Sequence, residues 1–197
     1  VKVVTNRGLV GLGEGSITSK ARTVEQAILE HKRYLVGQDP TDIEMHWQAM
    51  YRWPRWRGGP ILNSAISAVE IALWDIVGKV AGQPLYKLWG AQKDKVPAYA
   101  SMIQLSTPEE RAEQAVRIKE AGWQGMKIRL HHLDMREDIR TIQLVREAAG
   151  DDFTIMTDAN QAQSSGIWQP GVQWDFTRAL DTARALKQMN VYWLEEP

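Results

Sequence analysis

Three short strand-like runs in this 197-residue sequence each end in charged residues of types that do acid–base and metal chemistry. The runs cover residues 125–130, 153–158 and 191–196, and they carry Lys127 and Arg129, Asp158, and Glu195. Each follows an amphipathic helical stretch, so the order reads α-β-α-β-α-β. In a parallel barrel the C-terminal strand ends share one face, and that face holds the active site. The four residues would therefore converge across a long sequence separation. Two cations beside two carboxylates suggest acid–base chemistry around a hard metal ion. Mg²⁺ takes oxygen ligands in near-octahedral geometry and usually keeps water or substrate oxygens among them. The bland alternative, that the acids merely cap the following helices, is common for Asp but less apt for Glu195 within Trp-Leu-Glu-Glu-Pro.

The elements that would position these residues can be read along the chain. Residues 1–20 place Gly8, Gly11, Gly13 and Gly15 among short apolar pieces, which suggests strand ends and a turn. Gly11-Leu12-Gly13-Glu14-Gly15 lacks the spacing of a nucleotide-binding loop. Thr23 and Gln26 form a capping-box signature that should start a helix running to about residue 36. A polar and aromatic segment follows, and two Pro and two Gly mark its end, 52–60, as loop. Apolar residues nearly all round predict a buried helix over 63–80. Within it Glu70 and Asp75 are expected to be structurally paired. A short helix is expected over 84–89, and 96–105 is strand-like. Thr107-Pro108 starts a helix to about residue 121, and further helices cover 135–149 and 176–189. Strands alternating with helices of this length imply parallel βαβ units. The fold class is thus α/β: an α+β domain over 1–91, then four barrel strands over 92–197. Four strands cannot close an eight-stranded barrel, so the expectation is a segment of a longer polypeptide.

Composition narrows the chemistry. With 24 basic and 24 acidic residues the net charge is zero, and no basic block favours nucleic acid or an anionic membrane. The sequence has no cysteine, so oxygen or imidazole must hold any metal. No apolar run is judged to approach the roughly 18 residues of a membrane span. The nine Trp exceed the two Phe, and Trp47, Trp53, Trp56 and Trp74 lie close together as a core, an interface or a binding wall. The Arg-Trp-Pro-Arg-Trp-Arg stretch at 52–57 fits a loop closing over a small anion better than a nucleic-acid platform. Adjacent side chains on an extended segment point apart, so at most one of His131 and His132 faces the site. A solvated or structural role is expected for each.

Ser64-Ala65-Ile66-Ser67-Ala68-Val69-Glu70-Ile71-Ala72-Leu73-Trp74-Asp75-Ile76, Gly82-Gln83-Pro84-Leu85-Tyr86, Asp158-Ala159-Asn160-Gln161 and Trp193-Leu194-Glu195-Glu196-Pro197 together resemble the enolase superfamily, and within it the mandelate racemase/muconate lactonizing enzyme group. The resemblance covers nearly the whole chain and implies an α+β capping domain followed by a modified (β/α)₇β barrel. It implies that Asp158 and Glu195 are the first two Mg²⁺ ligands, with Glu196 behind them and Asn160 facing metal and substrate. A third ligand is implied beyond Pro197. Lys127-Ile128-Arg129 occupies the place of a Lys-x-Lys pair in which the second Lys is an acid–base residue. Arg129 departs from that pattern. Its pKa is too high for easy deprotonation, so it is read as binding an anionic oxygen. Lys127 would titrate near neutrality if desolvated beside Arg129 and a metal, although its side should be the less exposed one. The proton would otherwise fall to a residue outside the sequence, often a His paired with an Asp in this group. The 36 residues between Asp158 and Glu195 include an insertion of roughly ten residues near 164–174, which would shape substrate choice or serve a surface contact.

The resemblance implies Mg²⁺-dependent abstraction of the proton α to a carboxylate, with stabilisation of the enediolate. Dehydration of a sugar acid is the first choice, because the 52–60 loop resembles cap loops of acid-sugar dehydratases. Racemisation or epimerisation is the alternative, cycloisomerisation third, and a non-catalytic sugar-acid-binding barrel the rival from another class. A cytoplasmic homo-oligomer with a small carboxylate substrate is expected, without nucleic acid or membrane partners.

Overall fold

The computed structural model describes residues 1–163 and 173–197, so most of the insertion near 164–174 lies outside the described residues. The chain divides into two compact units, Val1–Asp94 and Lys95–Pro197.

In the first unit, strands β1 (Lys2–Val4) and β2 (Val10–Leu12) form an antiparallel hairpin. Helices α1 (Ala21–Leu35), α2 (Ile43–Arg52), α3 (Gly59–Ala81) and α4 (Leu85–Leu88) follow. The glycines of the first twenty residues have a packing reason. A Cβ on Gly11 would lie 2.0 Å from the Ala72 carbonyl oxygen, one on Gly13 2.0 Å from that of Ala68, and one on Gly15 2.5 Å from that of Ser64. Two strand residues advance about 6.6 Å and four helical residues about 6.0 Å, so alternate glycines meet successive turns of α3. Asp75 then ties the hairpin down, accepting from Leu12 N–H at 2.9 Å and from Lys79 Nζ at 2.6 Å. Gly13→Ala is therefore expected to destabilise this unit by roughly 3 kcal/mol or to prevent its folding. Urea unfolding checks this, and an unchanged midpoint would contradict the close approach.

Four expectations are corrected here. Thr23 does not cap α1, which begins at Ala21 with Lys20 before it and no side-chain cap bond. The real capping box lies at Thr107 and Glu110, where both reciprocal bonds form. Pro108 closes that helix upstream, whereas no Pro or Gly stands between Ser19 and Thr23 to stop α1 from starting early. The polar segment after α1 contains a whole helix, α2. Its inward stripe is Ile43, His46, Ala49 and Met50, and the buried His46 hides the 3.6-residue period. His46 is satisfied by Tyr34 Oη at 2.9 Å and the Asp39 carbonyl at 2.6 Å. Helix α3 starts at Gly59, so Gly59-Pro60 is its first turn rather than loop. Over 23 residues, with mean hydropathy 1.4, α3 is also long and apolar enough to cross a membrane. Its buried residues include Ala65, Ile66, Val69, Ala72, Leu73 and Ile76, and Ile66, Val69 and Leu73 pack with Ile43 and Met50 of α2. Trp47 and Trp74 pack against this cluster, while Trp53 and Trp56 are exposed.

In the second unit, β3 (Ala100–Met102), β4 (Gly125–Arg129), β5 (Thr154–Asp158) and β6 (Leu194–Glu195) form one parallel sheet in sequential order. Helices α5 (Pro108–Glu120), α6 (Met135–Ala149) and α7 (Phe176–Gln188) connect them. Met126, Ile128 and Ile155 pack with Ala115, Ile142, Val145 and Leu186 of the helices. Burying each large apolar side chain contributes about 1.5–3 kcal/mol. A one-residue slip of β4 would turn Met126 and Ile128 away from this core, so burial fixes the register. The alternate residues, Lys127 and Arg129, are thereby sent to the opposite face. That face is concave. Tyr99, just before β3, and Trp193, just before β6, belong to opposite edges of the sheet, yet their rings meet at 5.6 Å between centroids. A flat sheet would hold those edges about 14 Å apart, so the contact reflects curling toward a barrel. The structure is therefore an α+β domain followed by the first part of a barrel.

Candidate active site

Cα register places Arg129 beside Asp158 and Asp158 beside Glu195. The three side chains therefore project from the C-terminal strand ends on the concave face. Lys127, one step lower on the same face, reaches both acids. Its Nζ donates to Asp158 Oδ2 at 2.8 Å and to Glu195 Oε2 at 3.1 Å. Lys127 and Asp158 are nearly buried, with side-chain exposures of 16% and 10%, while Glu195 is 40% exposed. Asp158 Oδ1 accepts the Asn160 N–H at 2.9 Å, so both carboxylate oxygens of Asp158 are engaged. Asn160 adopts φ 50° and Glu196 φ 46°. Left-handed backbone is tolerable for Asn and uncommon for Glu, and such strain clusters at functional sites.

The two acids set the direction of the Lys127 pKa. Burial pulls it down, but hydrogen bonds and charge from Asp158 and Glu195 outweigh this and raise it above its ordinary value. The two acids thus favour the protonated ammonium.

The ring orientations of His131 and His132 also depart from expectation. They lie beyond the end of β4, and their rings stack at 4.2 Å instead of pointing apart. His132 Nδ1 lies 2.9 Å from the buried Asp138 Oδ1, which also accepts both histidine backbone N–H groups at 3.0 Å. Burial, first, and the neighbouring His132 lower the pKa of His131. Arg178 completes this structural cluster, donating to Asp138 Oδ2 at 2.9 Å and to the His132 and Leu133 carbonyls at 2.7 Å. Asp138 and Arg178 escaped the sequence reading because on amphipathic helices they look like ordinary solvent-facing charges. Only the helix packing buries them.

The donor set suits a hard cation. Asp158 Oδ2 and Glu195 Oε2 both face one point of positive charge, now the Lys127 ammonium, and both are carboxylate oxygens of the kind Mg²⁺ prefers. Among the described residues no group of three or more His, Cys, Asp or Glu gathers for a metal.

An α+β unit followed in sequence by parallel strands alternating with helices is the order of elements in the enolase class of barrels. The model of the mandelate racemase/muconate lactonizing enzyme N-terminal domain matches residues 1–90, and that of the enolase C-terminal domain-like family matches residues 110–197. The chain belongs to the mandelate racemase/muconate lactonizing enzyme group of the enolase superfamily. It is 33% identical, over its whole length, to 53% of a 3,6-anhydro-alpha-L-galactonate cycloisomerase from Streptomyces coelicolor. It is 39% identical, over 80% of its length, to 44% of a D-galactonate dehydratase from Cronobacter sakazakii. Among solved structures, a racemase from Streptomyces coelicolor with bound magnesium superposes with a TM-score of 0.84 at 33% identity, covering 100% of this chain and 53% of that one. The chain spans about half the length of the curated relatives it matches.

Proposed function

We propose that this chain carries part of the active site of a Mg²⁺-dependent enzyme that removes the proton α to the carboxylate of a sugar acid, with loss of water as the outcome. The observation that supports this most is the pair of carboxylates, Asp158 and Glu195, facing one cationic point at the ends of adjacent parallel strands. The dehydratase relative supports the sugar-acid substrate.

On this reading Asp158 and Glu195 hold Mg²⁺ and Asn160 faces the substrate. Bound there, Mg²⁺ would hold the substrate carboxylate and offset the negative charge that collects on it as the α-proton leaves. Lys127 orients the two ligands and adds a fixed positive charge beneath them. Arg129, at the level of Asp158, binds an anionic substrate oxygen and does not exchange its own proton at neutral pH. Arg129 is therefore not the base, and proton abstraction is assigned to a residue on another strand. Departure of the α-proton and of the β-hydroxyl as water leaves an enol, which becomes a 2-keto-3-deoxy acid.

Incubating the full-length protein and Mg²⁺ with a panel of acid sugars tests this by 2-keto acid formation. Product from at least one sugar is expected. No product and no exchange of the α-proton across the panel would favour a barrel that only binds. Cycloisomerisation is a second reading, favoured by the Streptomyces relative that aligns with all of this chain, and a ring-opened or ring-closed isomer formed without water loss would reveal it.

A further inference from the structure

One residue beside the two acids has been given neither ligation nor proton transfer. Gln161, in the short 3-10 turn Gln161–Gln163 after β5, sits where several main-chain ties meet. Its backbone N–H donates to the Glu196 carbonyl at 2.9 Å, which joins the end of β5 to the end of β6. Its side-chain Nε2 donates to the Ala159 carbonyl at 3.0 Å, and its Oε1 accepts the Trp174 N–H at 2.8 Å. Ala159 N–H in turn donates to the Glu195 carbonyl at 2.9 Å. One carboxamide therefore links the residue after Asp158 to the far end of the β5–α7 connection, while its main chain reaches the residue after Glu195.

The far end is itself anchored. The Arg178 guanidinium lies 4.8 Å from the centroid of the Trp174 ring, and the same guanidinium grips the buried Asp138 of α6. Side-chain exposures of 12% for Arg178 and 1% for Asp138 make this a firm attachment rather than a surface pair. Gln161 thus couples two left-handed positions, Asn160 and Glu196, to packed helices. Asp158 lies two residues before Asn160 and Glu195 one residue before Glu196, so a small rotation there re-aims a carboxylate.

We propose that Gln161 is a positioning residue for Asp158 and Glu195, acting through the main chain that follows each acid. This rests on the reading of those acids as the Mg²⁺ ligands. Groups that orient metal ligands typically contribute 10–100-fold to affinity. In the full-length protein, Gln161→Leu removes both side-chain bonds and is expected to weaken Mg²⁺ binding about ten-fold or more in calorimetric titration. Gln161→Glu keeps an acceptor for the Trp174 N–H but loses the donor to Ala159. Its affinity is expected to fall between Gln161→Leu and the wild type, and this variant carries the test if Gln161→Leu does not fold. Wild-type affinity in the variants would overturn the positioning role, even with a lowered unfolding midpoint. A wild-type protein that binds no Mg²⁺ would instead overturn the metal reading itself, and the role of Gln161 with it.

Discussion

Replacing Asp158 by Asn is expected to abolish turnover and to weaken Mg²⁺ binding by more than about 100-fold, beyond the usual cost of disturbing a group behind a metal ligand. The geometry explains the size. Asp158 is 7% exposed, with Oδ2 on Lys127 Nζ and Oδ1 on the Asn160 N–H. A carboxamide has only one oxygen to offer these two donors. Whichever way it is turned, its NH₂ group faces either the ammonium or the backbone N–H. Asn thus removes a ligand charge and also breaks the network that aims Asn160. Turnover assays and calorimetry on the full-length protein measure both effects, and activity near wild type would refute the ligand assignment.

Lys127→Met is the second large effect. It leaves two carboxylates facing one another without the cation that separates them. Asp158 is almost buried but Glu195 is 40% exposed, so solvent screens part of the repulsion. The metal-free protein is expected to lose about 1–2 kcal/mol, below the cost of breaking a fully buried pair. Added Mg²⁺ supplies positive charge to the same acids and is expected to recover much of that stability, although turnover stays low. The pH dependence has a definite direction. The folded pKa of Lys127 is raised above its ordinary 10.5, so the protonated form binds more favourably in the folded state. Its stabilisation is fully present below about pH 10.5 and fades as pH climbs through the raised folded value. The stability gap between wild type and Lys127→Met, measured by metal-free urea unfolding, should therefore be constant at neutral pH and close in strong alkali. A gap that widens with alkali would contradict the Lys127 pairing.

The barrel part of the fold was legible because its signals are local and repeated. Helix α6 spans the expected residues, and α7 and the strands β4 and β5 fall within a residue or so of them. The alternation of Lys127 and Arg129 with Met126 and Ile128 already fixes which face holds charge. The first unit was harder, because its helix α2 turns a buried His46 inward where the pattern asks for an apolar residue. Thr23 does not cap because nothing keeps it out of helical backbone, whereas Pro108 pushes the preceding Thr107 into the extended conformation of an N-cap. At the site, residue types and strand ends were enough to gather Lys127, Asp158 and Glu195. They did not reveal that Lys127 bridges the two acids, nor that Gln161, Trp174, Arg178 and Asp138 form one connected support. Those links depend on side-chain reach across loops and helix faces, which no short sequence window contains.

The central claim is that Asp158 and Glu195 serve proton abstraction next to a carboxylate. It is tested most directly by ²H incorporation at the α-carbon of acid sugars, incubated in ²H₂O with the full-length protein, with and without Mg²⁺. For an acid sugar that is a substrate, Mg²⁺-dependent loss of the α-proton is expected, seen as exchange or as 2-keto acid, with none for Asp158→Asn. Proton loss that persists without Mg²⁺ or in Asp158→Asn would contradict it.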